Sequence, residues 1–171
     1  MARGGTSHKK KKRIAKTMPM RVLEQKGIPY ELHQHAHKQY TAEGVAEDLD
    51  VPVAQVVKAM ILQRSDRGFV LVAIPGDVRL SLKKVAATLN DKGVKLAAER
   101  DVQRVTGFQV GAVSVLGFRR ADVAAYVDRR VLELDQAIIS SGRPDAALAL
   151  PPDALVQALE GAEVGDFSEE G

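Results

Sequence analysis

Apolar and polar positions divide the chain into short helices and short strands separated by turn residues. Apolar side chains at helical spacing, several of them after a capping residue, predict helices at 16–26, 41–49, 81–89, 99–105 and 152–159. Apolar and β-branched runs predict strands at 28–35, 56–62, 69–74, 94–97, 124–127, 137–139 and 147–150. Because hairpins are mixed with helices instead of alternating with them, we expect an α+β fold.

The strand predicted at 56–62 contains one charged residue, Lys58, among apolar neighbours. An ammonium held against apolar surface is costly to desolvate unless an anionic group meets it. The alternative is a lysine whose stem covers apolar surface while its head reaches water. About fifty residues later, Gly107–Gly117 places three glycines within eleven residues (the glycine segment). Small residues let a backbone approach a ligand closely, so the two features together predict a pocket with one positive charge and a wall of backbone amides.

The composition is that of one globular domain: 171 residues, 45% hydrophobic and 27% charged. No apolar run approaches the roughly 18 residues that span a bilayer, and no apolar segment follows the basic N-terminus as in a secretory signal. The absence of cysteine excludes disulfides, thiolate metal sites and a cysteine nucleophile. It also agrees with the cytoplasmic location that we expect.

Charge is distributed unevenly along the chain. Residues 1–16 hold seven Lys and Arg residues and no acidic residue, which leaves 18 basic against 22 acidic residues in the remainder. We therefore expect a disordered basic N-terminal arm at 1–15, a folded domain at 16–162 and a frayed acidic C-terminal tail at 163–171. The arm either attracts nucleic acid without reading its sequence or is a solvated leader with no specific partner.

Three histidines, His33, His35 and His37, alternate along the chain. On a strand this spacing places them on one face, where imidazoles are able to ligate a metal. The other interpretation is that they are solvated or face a substrate.

Two further polar positions follow apolar strands. Ser140 and Gly142 come directly after the strand at 137–139, but no G-x-S-x-G elbow surrounds the serine. A serine nucleophile needs a base within reach, so a hydroxyl that positions a substrate or a water is the better interpretation. Asp128 ends the strand at 124–127 and is either a turn residue or a counter-charge to Lys58.

Four segments, in this order, resemble the YbaK/EbsC family of aminoacyl-tRNA deacylases, which is related to the editing domain inserted in bacterial prolyl-tRNA synthetases. They are GIPYELHQHAH, VVKAMIL, VTGFQVGAVSVLGF and YVDRRVLELDQAIISSGRPDAALALPPDAL. The similarity covers roughly residues 16–162. It implies a single α+β domain with a mixed, mostly antiparallel curved sheet or barrel flanked by helices.

The resemblance also implies a function: hydrolysis of mischarged aminoacyl-tRNA in trans, on Cys-tRNA(Pro) or another tRNA that carries a small amino acid. It implies that catalysis uses no metal, no cofactor and no protein nucleophile. The implied partners are tRNA and, as a further candidate, prolyl-tRNA synthetase. Lys58 would bind the phosphate–ribose end or the substrate carbonyl, while an ordered water, a ribose hydroxyl or a cysteine thiol of the substrate attacks. The remaining substrate-binding candidates are His35, Gly111, Ala112, Val113, Ser114, Val115, Asp128, Ser140 and Gly142.

The sequence departs from the family pattern at several positions. Ala59 replaces the usual threonine after the lysine, Ala112 the second glycine of a pair, and Val115 a proline. These changes affect pocket size, where one methylene is worth about 1–3 kcal/mol of discrimination. They also leave open an alternative function, a non-catalytic module that binds aminoacyl-tRNA or a synthetase.

Overall fold

The computed structural model describes residues 14–171, and its five helices within that range lie where the sequence predicts them. Thr41 and Ser81 cap α2 and α3: their hydroxyls accept hydrogen bonds from Gly44 N (3.0 Å) and Lys84 N (3.2 Å). The helices are α1 Met18–Gln25, α2 Ala42–Leu49, α3 Leu82–Leu89, α4 Glu99–Thr106 and α5 Pro152–Ala158. Within residues 14–171, no helix has both the length and the apolar character needed to cross a bilayer.

Ten strands form three sheets in the described part of the chain. The strands are β1 Glu31–Gln34, β2 Val57–Gln63, β3 Phe69–Pro75, β4 Val78–Leu80, β5 Lys95–Leu96, β6 Ala124–Asp128, β7 Ala137–Ser140, β8 Ala146–Leu150, β9 Glu163–Gly165 and β10 Ser168–Glu170. Their orders are β5-β2-β3-β6-β9, β1-β8-β7 and β10-β4. The predicted β2–β3 hairpin is confirmed, with Val57 opposite Pro75 and Gln63 opposite Phe69.

Most strand pairs are antiparallel, and the exceptions are β3–β6 and β6–β9. The sheets are curved but do not close into a barrel. This architecture confirms the α+β class. Strands β2 and β7 touch through a single parallel bridge, Val56 to Ile138, and belong to different sheets beyond it. The gap that opens between them becomes the site described below.

The five-stranded sheet separates two apolar clusters. Successive side chains of a strand point to opposite faces, and in β2 this places Val57 and Ile61 in the larger cluster and Leu62 in the smaller one with α3. Lys58 shares the face of Met60 and Leu62, the face on which β4 and α3 lie. Lys58 therefore lies on the same face of the sheet as the smaller cluster, where its ammonium contacts Val78 of β4.

The predicted frayed tail at 163–171 is wrong, because both β9 and β10 lie within it. Phe167 is only 1% exposed and packs edge-on against Tyr126 at 5.8 Å between ring centroids. The buried ring of Phe167 thus holds residues 163–171 against the fold, although their acidic composition alone predicts a solvated segment. The basic arm falls almost wholly outside the described residues, although Ile14, assigned to it, packs against the larger cluster.

Candidate active site

A cavity of about 490 Å³ lies where β2 and β7 diverge. This volume falls within the roughly 300–1,000 Å³ of small-molecule sites. Its walls come from β2, β7, the start of α2 with the loop before it, the start of α4, and part of the glycine segment. The cavity therefore collects segments that are far apart in sequence around one gap between strands.

Lys58 lies at the wall of this cavity and is half-buried. Its Nζ donates a hydrogen bond of 2.6 Å to the carbonyl oxygen of Val78 on β4. Burial lowers the pKa of the Lys58 ammonium, and the carboxylates of Glu43 and Asp77 partly offset this by raising it. An ammonium has three donor hydrogens, and the described residues accept one of them. Lys58 is thus a cation with donor capacity left for a ligand.

The glycine segment contributes Val110, Gly111 and Val113 to the cavity wall. Gly111 has φ +87°, and a Cβ there would lie 2.8 Å from Cβ of Tyr40. Both the backbone conformation and the close neighbour require glycine at this position. Gly111 and Val113 thus lie beside a ligand-sized space, and the role of their backbone there stays a prediction.

Ser140 also lines the cavity, and its hydroxyl is held from two sides. Oγ donates to the carbonyl oxygen of Ala112 (3.0 Å) and accepts from the amide of Gly142 (3.0 Å). Ala112 is buried and contributes that carbonyl rather than its amide. Gly142, with φ +91°, has its Cα against Phe108, where a Cβ would be 2.7 Å from the ring. Ser140 thus ties the end of β7 to the glycine segment.

Ser114 and Val115 do not reach the cavity, contrary to the predicted amide wall. Both are buried, and Val115 belongs to the larger core cluster. Ser114 Oγ accepts from Leu116 N at 3.4 Å, a local turn contact. The glycine segment enters the core after Val113. The spacing of its glycines does not predict this change of direction.

Asp128 is neither a cavity residue nor the counter-charge to Lys58. It is fully buried, and its carboxylate accepts hydrogen bonds from Phe167 N (2.9 Å), Ser168 Oγ (2.7 Å) and Arg130 N (3.0 Å). These donors belong to the C-terminal segment and to the turn after β6. The turn interpretation is therefore correct, and the second role of Asp128 is to hold β10.

The three alternating histidines do not share one face. β1 ends at Gln34, so the period of a strand does not extend to His35 and His37. Only His35 of the three lines the cavity. Within residues 14–171, no three histidine, aspartate or glutamate side chains are arranged as metal ligands. The geometry on which the metal interpretation depended is therefore not present there.

His35 itself is fixed in orientation. Its side chain is 1% exposed, its Nδ1 lies 2.7 Å from the carbonyl oxygen of His37, and Asp48 lies 3.6 Å from the same nitrogen. Because a carbonyl only accepts, Nδ1 carries the proton and donates it.

Several residues line the cavity although no pattern in the sequence predicts that they do. Tyr40 and Glu43 flank the N-cap of α2, and Arg143 with Pro144 follows β7. Arg143 binds Asp145 through two hydrogen bonds of 2.9 Å, which hold the pKa of that carboxyl below its ordinary value. A capping threonine marks where a helix begins, but only the tertiary fold shows that this end faces the cavity.

The sequence matches the aminoacyl-tRNA editing domain family over residues 36–158. An Enterococcus faecalis protein provisionally named Cys-tRNA(Pro)/Cys-tRNA(Cys) deacylase EbsC is 29% identical over 154 residues, covering 89% of this chain and 93% of that protein. Proline–tRNA ligase of Thermosipho africanus is 32% identical over 85 residues, which are 50% of this chain but 15% of the ligase.

A crystal structure described provisionally as that of a trans-editing enzyme for prolyl-tRNA synthetase has the same fold. It superposes with a TM-score of 0.80 at 27% identity, covering 89% of this chain and 95% of the other. The family match spans well over half of the sequence. On these grounds, the chain belongs to the aminoacyl-tRNA editing domain family and groups with its YbaK/EbsC proteins.

Proposed function

We propose that this protein hydrolyses the ester bond of mischarged aminoacyl-tRNA in trans, with Cys-tRNA(Pro) or another tRNA carrying a small amino acid as substrate. The observation that carries the proposal is Lys58, a half-buried ammonium with spare donor capacity at the wall of a 490 Å³ cavity. The family and the name of the Enterococcus relative support the substrate class.

Lys58 has two roles in this proposal. Its positive charge attracts the phosphate–ribose end of the tRNA, and its free N–H groups stabilise the negative charge that develops on the ester carbonyl oxygen. Such stabilisation is strongest where water is excluded, and burial of Lys58 in the β2 wall provides that environment. Its hydrogen bond to Val78 fixes the ammonium before substrate arrives.

Other residues of the cavity would orient the ester. Gly111 and Val113 line the cavity, and the Ser140 hydroxyl is held in place between Ala112 and Gly142. His35, which also lines the cavity, would contact the amino acid that the ester carries. Placing the reacting groups together accounts for much of the rate in this proposal.

The chemical step needs no protein nucleophile. The oxygen of an ordered water, or a hydroxyl or thiol of the substrate itself, attacks the ester carbonyl carbon. The bond between that carbon and the ribose oxygen breaks, and the ribose oxygen takes up the proton that the nucleophile releases. With water as nucleophile, the products are the free amino acid and uncharged tRNA. Attack by a side-chain thiol gives a cyclic thioester and uncharged tRNA, whereas attack by the second ribose hydroxyl only moves the acyl group to that oxygen, and water must then hydrolyse the new ester.

Association with prolyl-tRNA synthetase is part of the same proposal. The chain matches a segment of proline–tRNA ligases and has the fold of a protein described as a trans-editing enzyme for that synthetase. The seven basic residues of 1–16 would add sequence-blind affinity for tRNA. These features favour action in the cytoplasm on tRNA newly released from the synthetase.

Deacylation of a panel of Cys-, Ala-, Ser- and Pro-tRNA(Pro) tests the proposal. We expect the wild type to hydrolyse at least one mischarged member and Lys58→Ala to lose that activity. Lys83→Ala, which removes an exposed lysine on α3, is the matched control and should retain it. Binding of the panel without hydrolysis would overturn the proposal in favour of a non-catalytic binding module.

A further inference from the structure

The mouth of the cavity carries apolar side chains that the fold leaves uncovered. Tyr40 is 49% exposed, Leu96 53% and Val110 40%, and all three line the cavity. Only four other large apolar residues of the described chain are exposed by 39% or more. None of these three packs into an apolar cluster of the described residues. Their concentration at one opening indicates a ligand surface rather than scattered exposure.

Tyr40 extends from a backbone that is fixed on both sides. The amide of Gln39 donates to the carbonyl oxygen of Pro144 at 2.7 Å, and the Thr41 hydroxyl caps α2. The ring edge lies against Gly111, where a Cβ would be 3.0 Å from Cδ1. The ring is thus held along one edge, with about half of the side chain open to solvent.

We propose that Tyr40, together with Val110 and Leu96 of the same cavity, forms a platform that binds the terminal nucleobase of the aminoacyl-tRNA. This inference rests on the proposed function. The ester is carried by the terminal ribose, and the base is joined to the same ribose. When the ester lies beside Lys58 inside the cavity, the base must therefore lie within one sugar of it, which places the base at the mouth.

Stacking on an aromatic ring suits this position chemically. Every base has a π-face, so an exposed ring binds any of them without reading the sequence of the strand. Aliphatic neighbours extend the apolar surface under the base. The platform would position the ribose and, through it, the ester, so Tyr40 is a positioning residue and has no role in the chemical step.

Paired non-hydrolysable ligands separate this role from a general effect on folding. We would use a cysteinyl-3′-amide of 3′-aminoadenosine and the corresponding abasic 3′-amino ribose. Tyr40→Ala should weaken binding of the adenosine ligand roughly 5- to 100-fold, the range that stacking on one ring provides, and leave the abasic ligand unchanged. Tyr40→Phe should bind both as the wild type does, because the ring remains. Leu132→Ala, at an exposed residue away from the cavity, is the matched control.

The outcomes distinguish the inference from the proposed function. Equal losses for both ligands, or no loss for either, would overturn the platform while Lys58-dependent deacylation still stands. If neither ligand binds the wild type, both ideas fail. If Tyr40→Ala leaves both affinities unchanged but abolishes co-sedimentation with prolyl-tRNA synthetase, the mouth is a protein-docking surface and the platform is wrong.

Discussion

Lys58, near the start of β2, and Asp128, at the end of β6, are both charged residues in apolar strands, yet their surroundings differ. Asp128 is fully buried, and three donors of the protein meet its carboxylate. Lys58 is half-buried and has one hydrogen bond to a carbonyl among the described residues. A buried charge whose hydrogen-bonding capacity is filled internally stabilises the fold. A charge beside a cavity that keeps unused hydrogen-bond donors is available to a ligand.

This comparison predicts opposite consequences of mutation at the two positions. Replacing Asp128 should reduce stability and leave the activity of each folded molecule unchanged. Replacing Lys58 should abolish activity with little effect on stability.

The largest effect on stability is expected for Asp128→Ala. The substitution leaves the donors Phe167 N, Ser168 Oγ and Arg130 N without their acceptor, and such losses should reduce the free energy of unfolding by about 4 kcal/mol. Chemical denaturation measures the loss. Asp128→Asn keeps one carbonyl acceptor and should lose about half as much. A loss below about 1 kcal/mol would show that the carboxylate does not hold the C-terminal segment.

The next effect concerns Lys58→Met, which keeps the stem and removes the charge. We expect deacylation to fall by about 10²–10³-fold, as for loss of a group that stabilises a developing oxyanion. The free energy of unfolding should change by less than about 1 kcal/mol, since the ammonium gains little from its buried position. Deacylation kinetics and denaturation of the same preparation measure both quantities. A large decrease in the free energy of unfolding of Lys58→Met would show that Lys58, like Asp128, is a charge that mainly stabilises the fold.

The smallest effect concerns pH. Burial lowers the folded-state pKa of Lys58 below its ordinary value of 10.5, so the unfolded chain binds this proton more tightly. The free energy of unfolding should therefore rise slightly as pH increases from the folded-state pKa towards 10.5. Comparing wild type with Lys58→Met by denaturation at pH 8 and pH 10.5 isolates this contribution, which only the wild type should show. Equal pH dependence in both would mean that Lys58 titrates as a solvated lysine.

Local signals in the sequence predicted much of the fold. The β2–β3 hairpin follows from two apolar runs around a turn, and Thr41 and Ser81 mark the starts of α2 and α3. These features depend on residues close in sequence. The lysine and the glycine segment also predicted that Lys58, Gly111 and Val113 would share one pocket, and the structure brings them to the same cavity.

Non-local contacts explain what the sequence did not predict. β10 exists because Asp128, about forty residues earlier, accepts hydrogen bonds from Phe167 and Ser168. The cavity exists because β2 and β7 diverge after one bridge. Ser114 and Val115 point to the core because the chain turns inward, and no spacing of residue types encodes that direction.

The pairing of β10 with β4 has a practical consequence for the handling of this protein. Glu170 lies opposite Val78, whose carbonyl oxygen holds Lys58, so β10 and the Lys58 ammonium contact the same strand. At Gly171 a Cβ would be 2.7 Å from the carbonyl oxygen of Asp77. A substitution that gives residue 171 a side chain, such as Gly171→Ala, would therefore crowd the turn before β4, next to the carbonyl that accepts from Lys58. A tag or fusion joined there should therefore keep Gly171 as glycine.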